Sequence, residues 1–423
     1  MLKASNIMSL IKIFKNHIKI TIQILFIFIA SFTLINIIRA QYIEISPEDI
    51  NLPQNESTAK IEYTTPKSLV LVPLSPPERD FRASNTEWYK GIYYYQTTRY
   101  NLPAISFHYV ITEDGKLIEN EYSVGDRKID ITNEQIENPI LVAYMTPKGS
   151  IRFNPISKGK IQSILVDIVN ENAISPENIY IKGIQFISTD NRQLKIVLKE
   201  LFIGWQRELD QMRDFIVQNY NPIEKKINIE VKNINLPEEK QKVNTKVKGT
   251  ITIKNTGQFP IYGGTDDQLL LTKVDSEDED NTESAFFIND LWVSQTQINL
   301  MENDQVIMPD QETSIEFQLF VPLETEQISE MFYITNLKGE ILSDELNLTI
   351  QIAEIDQEVI EILSPEAGYL KVRAAPSLSA DEITRVSSGA RYFVLEKESG
   401  WIKIQVEEDI SGWVYGKYTE KLN

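Results

Sequence analysis

Along most of the chain, apolar residues recur with a period of two; helical spacing takes over in a few stretches. Ile105, Phe107, Tyr109 and Ile111 alternate with Ser106, His108, Val110 and Thr112, so residues 105–112 predict a strand. The turn-forming run Glu113, Asp114 and Gly115 follows, and residues 116–119 can return as the second arm of a hairpin. Residues 140–145 (ILVAYM) form an unbroken apolar run of strand length, and residues 68–72 (SLVLV) form another. Between residues 158 and 172 the period changes: Ile161, Ile164, Leu165, Ile168 and Val169 fall on one face of an amphipathic helix. Turn formers close that helix at residues 172–178, and residues 179–183 predict a short strand. After a polar break at 188–192, Leu194, Val197, Leu198, Leu201, Phe202 and Trp205 repeat at helical spacing and predict a second long helix.

In this order the elements resemble the zinc-dependent N-acetylmuramoyl-L-alanine amidase fold that is shared with peptidoglycan recognition proteins. The resemblance is carried by residues 107–116 (FHYVITEDGK), a helix bearing Gln162, residues 174–179 (ISPENI) before a strand, the apolar strand at 140–145 and residues 201–205 (LFIGW). It covers about a third of the chain and implies an α/β domain. It also implies a zinc-bound water that hydrolyses the amide between muramyl sugar and stem peptide, held by three protein ligands and an open position. The sequence departs from the family there. It has no Cys and two His, and His17 lies in the N-terminal region, which leaves only His108. A His beside the hairpin aromatic is not a metal ligand in the family pattern. The strand at 68–72, where the first ligand belongs, runs into Pro73, Leu74 and Ser75. Gly125, Asp126, Arg127 and Lys128 stand near the second ligand position, and Asp190 is the one oxygen donor near the third. Phe107 occupies the place where many active members of the family keep a catalytic Tyr. The resemblance therefore implies a domain that keeps the fold without the zinc ligands, with no catalytic residue, metal or cofactor expected.

Residues 85–100 are dense in aromatics: Trp88, Tyr89, Tyr93, Tyr94, Tyr95 and Tyr100. In the family this segment carries a helix at the groove edge. Trp88 and Tyr95 are candidate stacking residues for sugar or peptide, with ordinary core and boundary packing as the alternative.

From residue 223 onward, alternation returns in many short runs, at 228–231, 246–254, 268–272, 314–321, 331–335 and 347–352, separated by turn formers. This pattern predicts a β-sandwich. Residues 254–257 (KNTG), 291–292 (LW), 308–313 (MPDQET) and 317–322 (FQLFVP) make it similar to bacterial Ig-like domains, with Asp310 where those domains usually have Gly. The acidic run at 275–280 (DSEDED) lacks the glycine and alternating ligand spacing of a dedicated calcium loop, and reads as a solvated loop.

Residues 362–423 resemble bacterial SH3-like domains: residues 369–377 (YLKVRAAPS), Gly389, Val394, Leu395, residues 400–404 (GWIKI), residues 411–415 (SGWVY), Lys417 and Tyr418 follow one another at the expected spacing. The implied fold is a small all-β barrel in which Gly412 allows close approach before Trp413. Such modules bind cell-wall peptides or contact proteins. Trp401, Trp413, Tyr415 and Tyr418 are the candidate ligand-binding residues, with Tyr392 as a further groove aromatic and core packing as the alternative for both tryptophans.

Residues 1–40 contain no acidic residue. Lys3, Lys12, Lys15 and Lys19 precede an apolar stretch at 20–38, and Arg39 and Ala40 follow. A positive flank before roughly 15–20 apolar residues predicts an export signal, or a membrane anchor if it is not cleaved after Ala40. The full 423 residues carry a net charge of −19, which argues against nucleic-acid binding, and the absence of Cys excludes disulfides and thiol chemistry.

The expected architecture is multidomain. It comprises a signal or anchor at 1–40, a spacer at 41–66, an amidase-like α/β domain at 67–222, an Ig-like all-β sandwich at 223–354, a linker at 355–361 and an SH3-like all-β barrel at 362–423. The expected function is that of an exported cell-envelope protein that binds peptidoglycan or another wall polymer. It would touch the membrane through residues 20–38 if these are retained, and would not bind nucleic acid. A zinc amidase or wall hydrolase with a non-standard site, and a structural adaptor at the cell surface, stay open as alternatives.

Overall fold

The computed structural model describes residues 44–45, 52, 57, 59–75, 84–119, 124–132, 136–147, 150, 152–188, 194–274, 283–324, 326–364, 367–407 and 410–422. The signal or anchor at 1–40, the acidic run at 275–280 and Asp190 lie outside the described residues. Among the described residues, no helix is long and apolar enough to cross a membrane. The chain divides into two compact units, residues 1–225 and 226–423.

The first unit is built on a six-stranded sheet. Its strands are β1 (Glu44–Ile45), β2 (Ser68–Leu74), β3 (Tyr109–Ile111), β4 (Leu117–Ile118), β6 (Pro139–Met145) and β7 (Ile179–Ile181), in the order β1-β4-β3-β6-β2-β7. Strands β3, β6, β2 and β7 run parallel, while β4 returns antiparallel to β3 as a hairpin. The unbroken apolar runs follow from burial on both faces. Leu69, Leu71, Ile140, Val142 and Tyr144 pack on one side under α2 (Lys158–Glu171) and α3 (Ile203–Gln218). Val70, Val72, Leu141, Ala143 and Met145 pack on the other, under α1 (Asn85–Tyr94) and a small sheet of β5 (Ile131–Thr132), β9 (Leu194–Lys199) and β8 (Gly183–Ser188).

Three expectations are corrected here. The predicted second helix from residue 194 is a strand, β9, followed after Leu201 and Phe202 by α3. Leu194, Ile196 and Leu198 also alternate with Lys195, Val197 and Lys199, and pairing with β8 over six residues selects that period. The predicted strand at 105–112 is regular only over β3. Upstream of it, the carbonyls of Ile105 and Phe107 accept from the Arg127 guanidinium at 3.0 and 2.6 Å, and the Ser106 N–H donates to Gln96 Oε1 at 2.6 Å, so these groups are not engaged in a ladder. In the second unit, the stretch read as a linker contributes a strand, Val359–Ile362, which pairs with residues 391–393 and 419–421.

The second unit opens with two antiparallel sheets around one core. One holds Ile229–Asn235, Thr245–Asn255 and Glu312–Val321; the other holds Gln297–Asn299, Leu270–Lys273, Gln327–Thr335 and Leu346–Gln351. Their inward alternation is visible in Thr245–Asn255, where Val247, Ile251 and Ile253 are buried. Asn255 is fully buried and donates to the carbonyls of Phe259 and Ile307 while accepting from the Gly257 N–H, which explains the Asn-Thr-Gly turn. Asp310 takes a left-handed φ of 62°, the conformation for which glycine would be the usual choice. Trp292 closes the core, its indole N–H donating to Gln318 O at 3.1 Å.

A seven-stranded sheet follows, comprising Glu382–Ser387, Tyr369–Arg373, Ile410–Tyr415, Trp401–Glu407, Arg391–Glu398, Val359–Ile362 and Thr419–Lys421 in that order. It encloses a core of Ile360, Ile362, Val372, Val386, Ile404 and Val414. A Cβ on Gly412 would stand 2.5 Å from Val372 Cγ1 and 2.9 Å from Arg373 O, so only glycine allows these strands their spacing.

Candidate functional site

Strand register gathers an aromatic wall in the C-terminal barrel. Gly400, at φ +81°, turns the chain into Trp401–Glu407, and Trp401 pairs directly with Tyr415 across the ladder. Cross-strand partners project to the same face, and the two rings lie 5.3 Å apart. The 3-10 turn Gly416–Tyr418 then carries Tyr418 to 6.1 Å from Tyr415, edge to face. Together with Tyr369 these side chains border a groove of about 590 Å³.

The same groove is lined by Lys371, Arg373 and Lys417, which sequence reasoning did not single out. Lys371 bonds Glu382 at 2.7 Å, and Arg385 reaches the same carboxylate at 2.6 Å while lying 4.5 Å over the Tyr369 ring. Hydrogen bonds from Lys371 and then Arg385 hold Glu382 down to about 2, so it stays ionised. Arg373 donates to Ala380 O at 2.7 Å. Lys417 lies 5.8 Å from the Tyr418 ring centroid and makes no ion pair to a described residue. The groove thus offers flat apolar rings for stacking and one ammonium group for an anion or carbonyl. A signal for these cations exists in the sequence, at Lys371 and Arg373 within the opening motif. Their alternate spacing along one strand places them on one face.

The structure places the predicted residues unequally. Trp401, Tyr415 and Tyr418 meet in the groove; Tyr415 and Tyr418 are 36 % and 42 % exposed, and Trp401 is 7 % exposed. Trp413 does not line the groove. It sits two residue pairs farther along the ladder, opposite Lys403 and Arg373, and is buried with the Lys403 ammonium 6.0 Å from its ring. Tyr392 is half-buried against the barrel core. In the first unit, Trp88 is half-buried against the core beneath α1. Tyr95 lies beyond it in a π-helical turn, Tyr95–Arg99, with its hydroxyl 3.1 Å from that of Tyr100.

His108 is a structural group. It is 1 % exposed; its Nδ1 accepts from the Leu141 N–H at 2.9 Å, which leaves Nε2 to donate to Arg127 O at 2.7 Å. Burial first, and the Arg127 charge second, push it down to about 3, so the ring is neutral. With both nitrogens engaged it cannot ligate a metal. At the strand ends where a first zinc ligand would stand, Ser75 and Thr146 share a hydroxyl contact at 3.2 Å. Asp126 is 8 % exposed and accepts from Lys225 at 3.3 Å. Among the described residues no three His, Cys, Asp or Glu side chains cluster to hold a metal. Among the described residues, the side chains at these positions do not fit a three-ligand zinc centre.

Comparison with known proteins follows the same division. Residues 368–420 match the family described as bacterial SH3 domain. No curated protein matches the chain. Among solved structures it is similar to the Drosophila peptidoglycan recognition protein SD, at 11 % identity and a TM-score of 0.28, over 34 % of this chain and 82 % of that one. It is also similar to Manduca sexta peptidoglycan recognition protein-1, at 18 % identity and a TM-score of 0.26, over 33 % and 78 %. A third likeness is to the N-acetylmuramoyl-L-alanine amidase endolysin of Clostridium intestinale, at 11 % identity and a TM-score of 0.24, over 33 % and 79 %.

Proposed function

We propose that this chain is an exported cell-envelope protein that binds peptidoglycan and does not cleave it. The observation that carries the reading is the groove of the bacterial SH3 domain, where Tyr369, Trp401, Tyr415 and Tyr418 face Lys417. Extended peptides with a carboxylate suit such a surface: rings cover their apolar and backbone faces, and the ammonium group takes the charge. The first unit serves in this reading as an amidase-like domain kept for its surface. Support comes from the hairpin and helix motifs, and from a His108 whose ring nitrogens are both bound to backbone. The sandwich, read as Ig-like, spaces the two. The signal or anchor at 1–40 delivers the protein outside the cytoplasm.

Co-sedimentation with purified sacculi tests this reading. The full chain pellets with sacculi, and Tyr415→Ala combined with Tyr418→Ala leaves it in the supernatant. A wild-type chain that stays wholly in solution would refute the binding. Stoichiometric zinc with release of stem peptides would refute the inactivity.

A further inference from the structure

One edge of the first unit exposes large apolar side chains that the peptidoglycan reading does not use. Ile156, Phe202 and Ile203 are 93 %, 80 % and 77 % exposed. All three flank one packed pair of rings: Ile156 follows Phe153 by three residues, Phe202 and Ile203 precede Trp205, and the Phe153 and Trp205 rings pack 5.5 Å apart. Ile156 stands just before α2 and Ile203 opens α3. The two helices run side by side in the same direction, joined by Lys158 to Glu208 at 3.1 Å near their starts and by Asn170 to Asn219 near their ends.

The same edge is where the N-terminal segment reaches the domain. Strand β1 pairs parallel with β4, and β4 is antiparallel to β3, so the start of β1 lies beside the β3–β4 turn at the carboxyl ends of β3 and β6. That turn touches the start of α2: Ser157 Oγ donates to Glu113 O, and a Cβ on Gly115 would stand 2.9 Å from Lys160 Cβ. Residues 39–43 separate β1 from the apolar stretch at 20–38, a reach of about 17 Å at full extension. The charge also fits. In a chain of net charge −19, Arg152, Lys160 and Arg207 are exposed around the patch and make no ion pair to a described residue. Of the acidic side chains nearby, Asp114 and Glu208 are paired with Lys116 and Lys158, and Glu113 in the turn makes no ion pair to a described residue.

We propose that this edge is a membrane-resting surface, on which Ile156, Phe202 and Ile203 enter the interface of an anionic phospholipid bilayer and Arg152, Lys160 and Arg207 meet its phosphates. Apolar side chains flanked by basic ones are the recognised chemistry of interfacial binding, and headgroup phosphates attract nearby cations.

The absence of Cys makes the test direct, because one introduced thiol carries one probe. The full chain, as Ile156→Cys, Phe202→Cys or Ile203→Cys, is labelled with an environment-sensitive fluorophore. Each is reconstituted in phosphatidylglycerol–phosphatidylethanolamine vesicles containing a spin-labelled lipid. Glu137→Cys, just before β6 at the opposite, amino end of the parallel strands, is the control. The three patch probes shift to the blue and lose about half or more of their emission, as expected for groups seated at the headgroup boundary, while the control is unchanged. Joint reversal of Arg152, Lys160 and Arg207 to Glu, or replacement of the lipid by phosphatidylcholine, weakens the quenching. Patch probes that stay water-like in vesicles overturn the proposal, and so does equal quenching at residue 137. Shielding that grows with protein concentration in lipid-free detergent overturns it as well, in favour of a second copy of this chain covering the patch.

Discussion

Cationic side chains are tied to backbone in the first unit and border aromatic rings in the C-terminal barrel, with opposite consequences. In the first unit Arg127 is 5 % exposed and its two terminal nitrogens donate to the carbonyls of Ile105 and Phe107, while its own carbonyl accepts from His108. These polar atoms tie three chain segments together at a place where water cannot take over the bonds. In the C-terminal barrel, Lys371, Arg373 and Lys417 line an open groove beside rings that are partly exposed. A polar side chain committed to buried backbone holds a fold, because losing it strands its partners. A cation at a concave aromatic surface keeps bonding capacity for a ligand. The same residue types therefore call for different measurements: unfolding for the first, binding for the second.

The largest effect is expected at His108. His108→Leu leaves the Leu141 N–H and the Arg127 carbonyl without their partner in a dry interior, and should cost about 2–5 kcal/mol, read from urea unfolding of the first unit's transition. His108→Gln, which can still donate and accept, should recover part of that loss. Unchanged stability in His108→Leu would mean that the ring is not the tie described here. Next comes Gly412→Ala. The added methyl meets Val372 and the Arg373 backbone, and overpacking of this kind costs about 1–3 kcal/mol. Wall binding by the fraction that stays folded should be little changed.

The pH dependence of the first unit is a milder probe of the same contrast. His108 is held near 3 in the folded chain against an ordinary value of 6.5. Below 6.5 the unfolded chain takes up a proton that the folded chain refuses, so this contribution is complete above pH 6.5 and is lost as pH falls toward 3. The slope approaches about 1.4 kcal/mol per pH unit within that window. Denaturant midpoints at pH 7 and pH 5 measure it, and His108→Gln should flatten the difference.

Much of this division is legible in the sequence, and the exceptions have physical reasons. The runs at 68–74 and 140–145 are apolar at every inward position because both of their faces are covered, so they read as buried strands without a structure. The helix at 158–171 is equally plain from its stripe of five buried residues. Residues 194–199 fit two periods at once, and only the partner strand decides between them. Trp401 and Trp413 look equivalent as large residues after glycine. Register separates them, since Trp401 stands opposite Tyr415 at the groove and Trp413 opposite Lys403 beyond it. The role of Arg127 could not be read at all, because its acceptors lie 20 and 22 residues away in an irregular segment.

Within the groove itself the expected effects are smaller and fall on affinity. Tyr418→Ala should weaken binding to soluble stem-peptide fragments about tenfold, near 1.4 kcal/mol, as for a ring at the centre of a contact. It should leave the unfolding midpoint nearly unchanged, because Tyr418 is 42 % exposed. Trp413→Phe should do the reverse, lowering stability with little change in affinity, since the indole lies outside the groove. Lys417→Ala is the finest test. It removes a charge at a wet surface, so the loss should be only about twofold to fivefold, and should shrink further as salt is raised. If Lys417→Ala weakened binding more than Tyr418→Ala, charge and not stacking would dominate the groove, and an anionic polymer would fit it better than a stem peptide.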